Sequence, residues 1–522
     1  MDYKTPGVYI VEKNAFPNSV VEVDTAIPAF IGYTAKADNK GSPLTGKPWR
    51  ITSISEFINY YGTFPEFEFT IQVQDASDLN AVPDFEFKAN KYSLAQSAGR
   101  FLLYQSMVLF FQNGGAVCYV VSVGGFNAAI SAQDLIAGID ALKKEPSPAM
   151  VVVPDAVSLS APECSRVQQA VLAHCGMDMK SRFAILDIHD GFKKRTDPSG
   201  DCVARFRDAL GVNGLDFAAA YYPWVNTTVV QDSDLDFTLI ADAASQKILK
   251  DLLTVDMGVA GTAPADATAL KNWTDKIDAI NAIGQTVPGA AMSDEQLAMA
   301  FADRSAAVNK LLIQFSPLYV SVMGIIRNKL NVLPPGAAMA GIYTKVDQTR
   351  GVWKAPANIS LSAVETPVVD ISQEEQEDLN VCTVGKSINA IRSFVGQGTL
   401  VWGARTLDGN SLDWRYISVR RSTIMLEQSL RLAARAYVFE PNVANTWITV
   451  KSMARNFLTS IWKRGGLVGA TPDEAFSVFV GLGETMTQED ILEGFMKVTV
   501  LVALSRPTEF IEITFQQQMQ KS

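Results

Sequence analysis

Two histidines, five cysteines and a few glycine-rich turns hold most of the chemistry this 522-residue chain could perform. The stretch ILDIHDG (Ile185–Gly191) brings Asp187, His189 and Asp190 to the carboxyl end of an expected parallel strand. There α/β enzymes keep their acids and bases, so a hydrolase here would work through Asp187 and His189. No G-x-S-x-G elbow, C-x-x-C or H-E-x-x-H accompanies them, and carboxylates after a strand also bond turn amides without any catalysis. The segment NVCTVGKS (Asn380–Ser387) ends as a phosphate loop does, which would put Lys386 on a nucleotide phosphate, as in an assembly factor. Asn380 stands where the first glycine of such a loop is needed. GAAMAG (Gly336–Gly341) has the glycine spacing but continues with Ile342 and Tyr343 instead of Lys and Ser/Thr. DSDLDF (Asp232–Phe237) opens like a calcium loop, with Phe237 in place of the turn glycine and Ala243 in place of the bidentate glutamate. The expectation is a protein without catalytic residues, cofactor or metal.

Charge is the other signal. With 45 basic and 55 acidic residues the net charge is −10, which argues against a nucleic-acid binder that must neutralise phosphates. Against that background Arg420, Arg421, Arg431, Arg435, Lys451, Arg455, Lys463 and Arg464 make one C-terminal region locally basic. They form either a solvated helix face or a docking surface for an acidic partner. Cys118, Cys164, Cys175, Cys202 and Cys382 are odd in number and scattered, as free thiols in a reducing compartment would be. The opening MDYKTPGVYIVEKNAF has no apolar signal-peptide run, and no stretch reaches the ~20 apolar residues of a membrane span.

The elements that would position these groups read as mixed α/β, with more than one core expected at this length. AIPAFIGYT (Ala26–Thr34) is a buried strand, and SISEFINYYG begins on a capping pattern, Ser53 to Glu56, and stops at Gly62. Tyr92–Phe111 reads as one long helix, closed by QNGG and followed by the strand AVCYVVSV. Helix at Asp134–Lys143, strand at AMVVVPDA, helix at Ala161–Cys175 and strand at RFAILDIHD repeat at α/β spacing, so a mostly parallel sheet is expected. Residues 226–310 are Ala-, Asp- and Thr-rich with helical patches, as in an insertion or exposed lobe. Arg420–Tyr437 and Val443–Trp462 are amphipathic helices, followed by the strands AFSVFVGL and FMKVTVLVALSR.

The two ends pose a problem. Val8, Tyr9, Ile10 and Val11 follow a Pro-Gly turn, and Phe510, Ile511, Glu512, Ile513, Thr514 and Phe515 alternate as a strand does. A lone strand must find a sheet edge, either in its own domain or in a neighbouring molecule.

Several motifs, in order, resemble the tail sheath proteins of contractile phage tails and related contractile injection systems. They are TPGVYIVE…TAIPAFIGYT, FFQNGGAVCYVVSV, AAYYPWV, the long LPPGAAMAGIYTKVDQTRGVWKAPAN (Leu333–Asn358), then INAIRSFVGQGTLVWGARTL, YISVRRSTIMLEQSL, VFEPN and RPTEF. The resemblance covers about 1–125 and 219–522. It implies a multidomain α/β subunit: an N-terminal strand-donating arm (1–20), the N-terminal part of the core (21–125), and an inserted outer α/β region (126–330, most variable over 226–310). A C-terminal core facing an inner tube (331–505) and a C-terminal strand-donating arm (506–522) would follow. It further implies a structural, non-enzymatic protein, assembled in the bacterial cytoplasm into helical six-fold rings around an inner tube protein. Baseplate and terminal cap proteins and paralogous sheath subunits would be its other partners, with no nucleic acid and no membrane insertion. The sheath would contract to drive the tube through a target envelope, and the eight basic residues from Arg420 to Arg464 would face the tube.

Overall fold

The computed structural model describes residues 20–74, 82–285, 294–510 and 512. Its centre is an eight-stranded sheet in the order Gly398–Trp402, Asn389–Phe394, Ala218–Tyr222, Phe183–Asp187, Met150–Val152, Pro28–Thr34, Cys118–Gly125, Trp49–Ile51. The six inner strands run parallel and the two outermost are antiparallel to their neighbours. A parallel strand covered on both faces is apolar at every position, and PAFIGYT, MVV, FAILD and AAAYY are buried throughout.

Two cores sandwich this sheet. On one face Leu135 and Ile139 of the Ala132–Ala141 helix and Val167 and Val171 of the Ala161–Ala173 helix pack on Ile31, Val151 and Leu186. On the other, the Leu103–Gln112 and Gly336–Arg350 helices pack on Phe30, Val152 and Ile185. These two helices approach closely because Gly341 has no side chain: a Cβ there would lie 2.6 Å from the Phe110 carbonyl. The glycine spacing of GAAMAG is therefore a packing device inside a helix.

Two expectations change. Tyr92–Phe111 is not one helix: Asn90–Ala98 is a strand paired with Glu68–Val73, and the helix begins at Leu103. Gly99, at φ +79°, separates them, and Tyr92 and Leu94 alternate inward with Phe69 and Ile71. This three-stranded sheet joins the helices Ala243–Asp256, Ala267–Ala282, Asp294–Phe315 and Pro317–Leu330 in a third core. The sheet also runs through the boundary drawn at 125/126, since strands from 28–34, 118–125, 150–152 and 183–187 are neighbours in it. The described residues of the separate lobe thus come from 64–74, 82–98, 230–285 and 294–330, while 126–225 belongs with the central sheet. Among the described residues no single helix is long and apolar enough to cross a membrane, and the apolar pair Gln296–Phe315 and Pro317–Leu330 is bent by 115°.

A fourth cluster gathers Met425 and Leu426 of the Ile417–Ala434 helix, Ala454, Phe457 and Ile461 of the Ala444–Lys463 helix, and Trp353. Phe476 and Val478 cover it from a two-stranded sheet, Phe476–Phe479 with Thr499–Val502.

Buried charge holds connections in place. Asp155 accepts the backbone N–H of Tyr33 at 2.7 Å and of Leu102 at 2.6 Å, one on each carboxylate oxygen. Burial lifts its carboxyl to about 6, although these N–H groups pull the other way. Asp155→Asn turns one acceptor into a donor facing an N–H, and the expected cost is about 1–3 kcal/mol, read as a lower midpoint in urea.

Candidate functional site: arm roots and an open sheet

The candidate chemical groups are absorbed by the fold. The Asp187 carboxylate accepts the Gly336 N–H at 2.7 Å, at the start of the Gly336–Arg350 helix, and a Cβ on Gly336 would collide with it. Burial raises the Asp187 carboxyl to about 7. His189 bonds the Leu159 carbonyl at 3.0 Å, and Asp190 pairs with Lys193 at 2.9 Å. His174 is buried against Arg182 at 2.7 Å, and burial lowers its pKa to about 4. Lys386 is buried and donates to the Arg207 carbonyl, so its ammonium is spent on a helix end instead of a phosphate. All five cysteines are buried and free, and no metal-binding cluster occurs among the described residues.

The basic group divides. Arg420 and Arg421 are buried, so they offer no docking surface, which corrects the expectation for both. Arg420 pairs with Asp216, its guanidinium 3.7 Å from the Trp414 ring centre and 4.3 Å from that of Phe217. Arg421 grips Asp347 through both terminal nitrogens, at 2.9 and 2.5 Å, and lies over Tyr343. Arg431, Arg435 and Lys463 are exposed. Lys451 and Arg455 are partly exposed and pair with Glu484 and Asp473, while Arg464 pairs with Glu22.

Those partners show what the arginines hold. Arg421 donates to the Thr25 carbonyl at 3.0 Å, and the Thr25 hydroxyl donates to Asp347 at 2.7 Å. The Val23 N–H bonds the Ser429 hydroxyl at 3.0 Å, and Val20 and Val23 pack on the fourth core cluster. Residues 20–25, the root of the N-terminal arm, are therefore tied to the Ile417–Ala434 and Gly336–Arg350 helices. The C-terminal root is fixed as firmly. Glu509 receives the Arg405 guanidinium at 2.5–3.2 Å from two nitrogens and the Tyr416 hydroxyl at 3.4 Å. Arg405 is itself buried and donates to the Asn380 carbonyl. Sequence reasoning missed Glu22, Thr25, Arg405, Ser429 and Glu509; only the position of RPTEF at the tail's start pointed there. Val8, Tyr9, Ile10, Val11, Ile511, Ile513, Thr514 and Phe515 lie outside the described residues. Phe510 and Glu512 are described, exposed and in no strand.

The two-stranded sheet lies over the same cluster that holds the N-terminal root. Phe476, Val478, Val500 and Val502 form its inner face, Ser477, Phe479, Thr499 and Leu501 its outer one. Among the described residues neither strand pairs with a third strand, although just past Val502 the Val468 N–H bonds the Ala503 carbonyl at 2.8 Å, so both strands keep unpaired edge groups along Phe476–Phe479 and Thr499–Val502. Two strands alone are marginal in water, and a third or fourth would stabilise them.

Comparison with known proteins gives a consistent picture. Residues 410–518 match the phage tail sheath C-terminal domain. The chain is 28% identical over 138 residues to the tail sheath protein of Vibrio phage KVP40 and 26% identical over 128 residues to that of Burkholderia phage BcepMu. These alignments take in 26% and 24% of this chain but only 20% and 27% of those proteins. Solved structures match over nearly the whole length. The contracted helical sheath of the anti-feeding prophage is similar at TM-score 0.58 and 26% identity, covering 99% of this chain and 100% of that one. The contracted sheath of the extracellular contractile injection system PVC is similar at 0.58 and 25%, covering 99% of each.

Two measurements check the site. Asp187→Asn keeps the acceptor for Gly336 but removes a carboxyl that ionises less readily folded than unfolded. Wild-type stability should fall as pH rises from about 4 to 7 through this group, by a few kcal/mol in order of magnitude, and the asparagine variant should lack that part of the fall. Glu509→Gln weakens the hold on Arg405, and the expected readout is faster amide exchange over 506–510 with the central sheet's protection unchanged.

Proposed function

We propose that this chain, whose sequence and fold are those of the contractile tail sheath family, polymerises as a helical tube joined by donated strands. The observation that carries the reading is the open two-stranded sheet beside the fixed N-terminal root: each subunit offers an edge close to where it sends out an arm. Residues 8–11 and 510–515 have the strand-forming pattern to fill such edges in neighbours, with backbone hydrogen bonds supplying affinity and alternate side chains supplying register.

The mechanism follows from rigid bodies on tethers. The sheath would form in an extended lattice around an inner tube, then shorten and widen while the strands stay paired. Contraction releases free energy if it adds buried contact between subunits, at about 25 cal/mol per Å² of apolar surface. No nucleotide is consumed in this step. The lobe built on the three-stranded sheet and the 243–330 helices would lie outward, and the Ala444–Lys463 helix, with Lys451, Arg455 and Lys463, would face an acidic tube. Baseplate and terminal cap proteins would close the ends, in a phage tail or an extracellular or anchored injection particle.

Negative-stain microscopy of the purified protein should show hollow striated cylinders; monomers at high concentration would sink the reading. Removing 1–12, or 513–522 with Glu509 retained, should leave a folded monomer that cannot polymerise or cannot contract intact. Contractile cylinders from either truncation would show that this end donates no strand.

A further inference from the structure

A cavity of about 750 Å³ lies between the root of the N-terminal arm, the Ile417–Ala434 helix with the turn after it, and the loops at 146–149 and 178–181. That volume is in the range of sites that take a ligand. Its wall is largely apolar, with Met179, Phe183, Ile424 and Met425, and at its mouth Val21 and Leu432 stay 77% and 45% exposed. The charges on it are unequally served. Arg421 is taken by Asp347, Glu22 by Arg464 and Asp178 by Lys143. Asp24, Arg431 and Arg435 have no partner among the described residues. An apolar hollow ringed by one free carboxylate and two free guanidinium groups fits a short segment with an apolar side chain and charges of both signs.

The chain supplies such a segment at that place. Thr25 is held at Arg421 and Val23 at Ser429, so the root, traced back towards the start of the chain, runs along the helix towards Arg431 and Arg435. The residues before Val20 lie outside the described ones, and the stretch leading up to it is EKNAFPNS, Glu12–Ser19. Phe16 is four residues from Val20, a reach of about 14 Å at most, which keeps its ring within range of a cavity walled by Val21. Pro17 confines Phe16 to extended backbone and so lowers the entropy lost on docking. We propose that residues 12–19 dock in this cavity of their own chain in the free subunit. Phe16 enters between Val21 and Leu432, Glu12 pairs with Arg431 or Arg435, and Lys13 with Asp24. The mouth is at the surface, so a neighbour that engages the arm would draw the segment out without opening a core. The docking goes beyond the sheath reading, and only its release rests on it.

The test uses the full chain at a dilution where it is monomeric. Ala15→Cys with Ala436→Cys puts one thiol on the segment and one on the cavity wall, while the five native thiols are buried. Limiting oxidant should link the pair within one chain, read by peptide mass. Phe16→Ser should slow the link about tenfold or more, and Phe16→Leu should keep it. Glu12→Arg should slow it as well, and adding Arg431→Glu and Arg435→Glu to that chain should restore it. No link, or an equal rate in Phe16→Ser, overturns the docking. So does a link formed only between chains, since a neighbour's segment would then fill the cavity. Polymerisation of the oxidised protein, followed by sedimentation and negative stain, should fall about tenfold and recover on reduction. Unchanged polymerisation overturns the release. A linked monomer whose reduced form builds no cylinders supports the docking and overturns the sheath reading itself.

Discussion

The buried pair of Arg421 and Asp347 is the interaction on which the rest of the C-terminal architecture depends. It joins the Ile417–Ala434 helix to the Gly336–Arg350 helix, and through Thr25 it fixes the chain as it enters the first central strand. Both side chains are almost fully desolvated, so the pair holds only while both partners and the Thr25 contacts are present. Replacing one partner would leave a bare buried charge, whereas the assembled cluster satisfies both. Stacking of the guanidinium over Tyr343 adds an attraction that a lysine could not reproduce geometrically.

This rigidity gives meaning to the incomplete sheet. The central sheet ends in antiparallel strands and is covered on both faces, whereas the Phe476–Phe479 and Thr499–Val502 pair is covered on one face only. Among the described residues this pair lies beside the held root of the N-terminal tail. Strand addition there would gain hydrogen bonds without reordering the receiving subunit, because the inner face is already packed.

The sequence was most legible where one periodicity dominates. Wholly apolar strands such as FAILD and amphipathic helices such as 417–434 follow directly from burial on two faces or one. Asn90–Ala98 was misread because its alternation runs into the real helix after Gly99, and the combined stretch imitates a helical pattern. Within the basic C-terminal cluster, Arg420 and Arg421 depart from the expectation for a different reason. A run of arginines gives no sign of which are buried, and Arg420 and Arg421 find partners at Asp216 and Asp347, 204 and 74 residues away in the chain. The Arg405–Glu509 clamp spans 104 residues and was equally invisible to local pattern. The Asp187 carboxylate was correctly located at a strand end, but only the structure shows it spent on the N–H of Gly336.

The clamps would also make the two proposed tethers unequal. If 510–515 is donated as a strand, it begins with the residue after Glu509, and the C-terminal link would have essentially no slack. Between Val11 and the root at Val20 lie eight residues, which span about 30 Å at most when extended. A subunit sending out both arms is thus tied closely to one neighbour and loosely to another. Any rearrangement that keeps all strands paired must preserve the short connection nearly unchanged and take up its displacement across the long one. In the mesh proposed above, contraction would therefore be a pivot about the C-terminal links, with the N-terminal arms setting how far neighbouring subunits could separate before a strand is pulled from its edge.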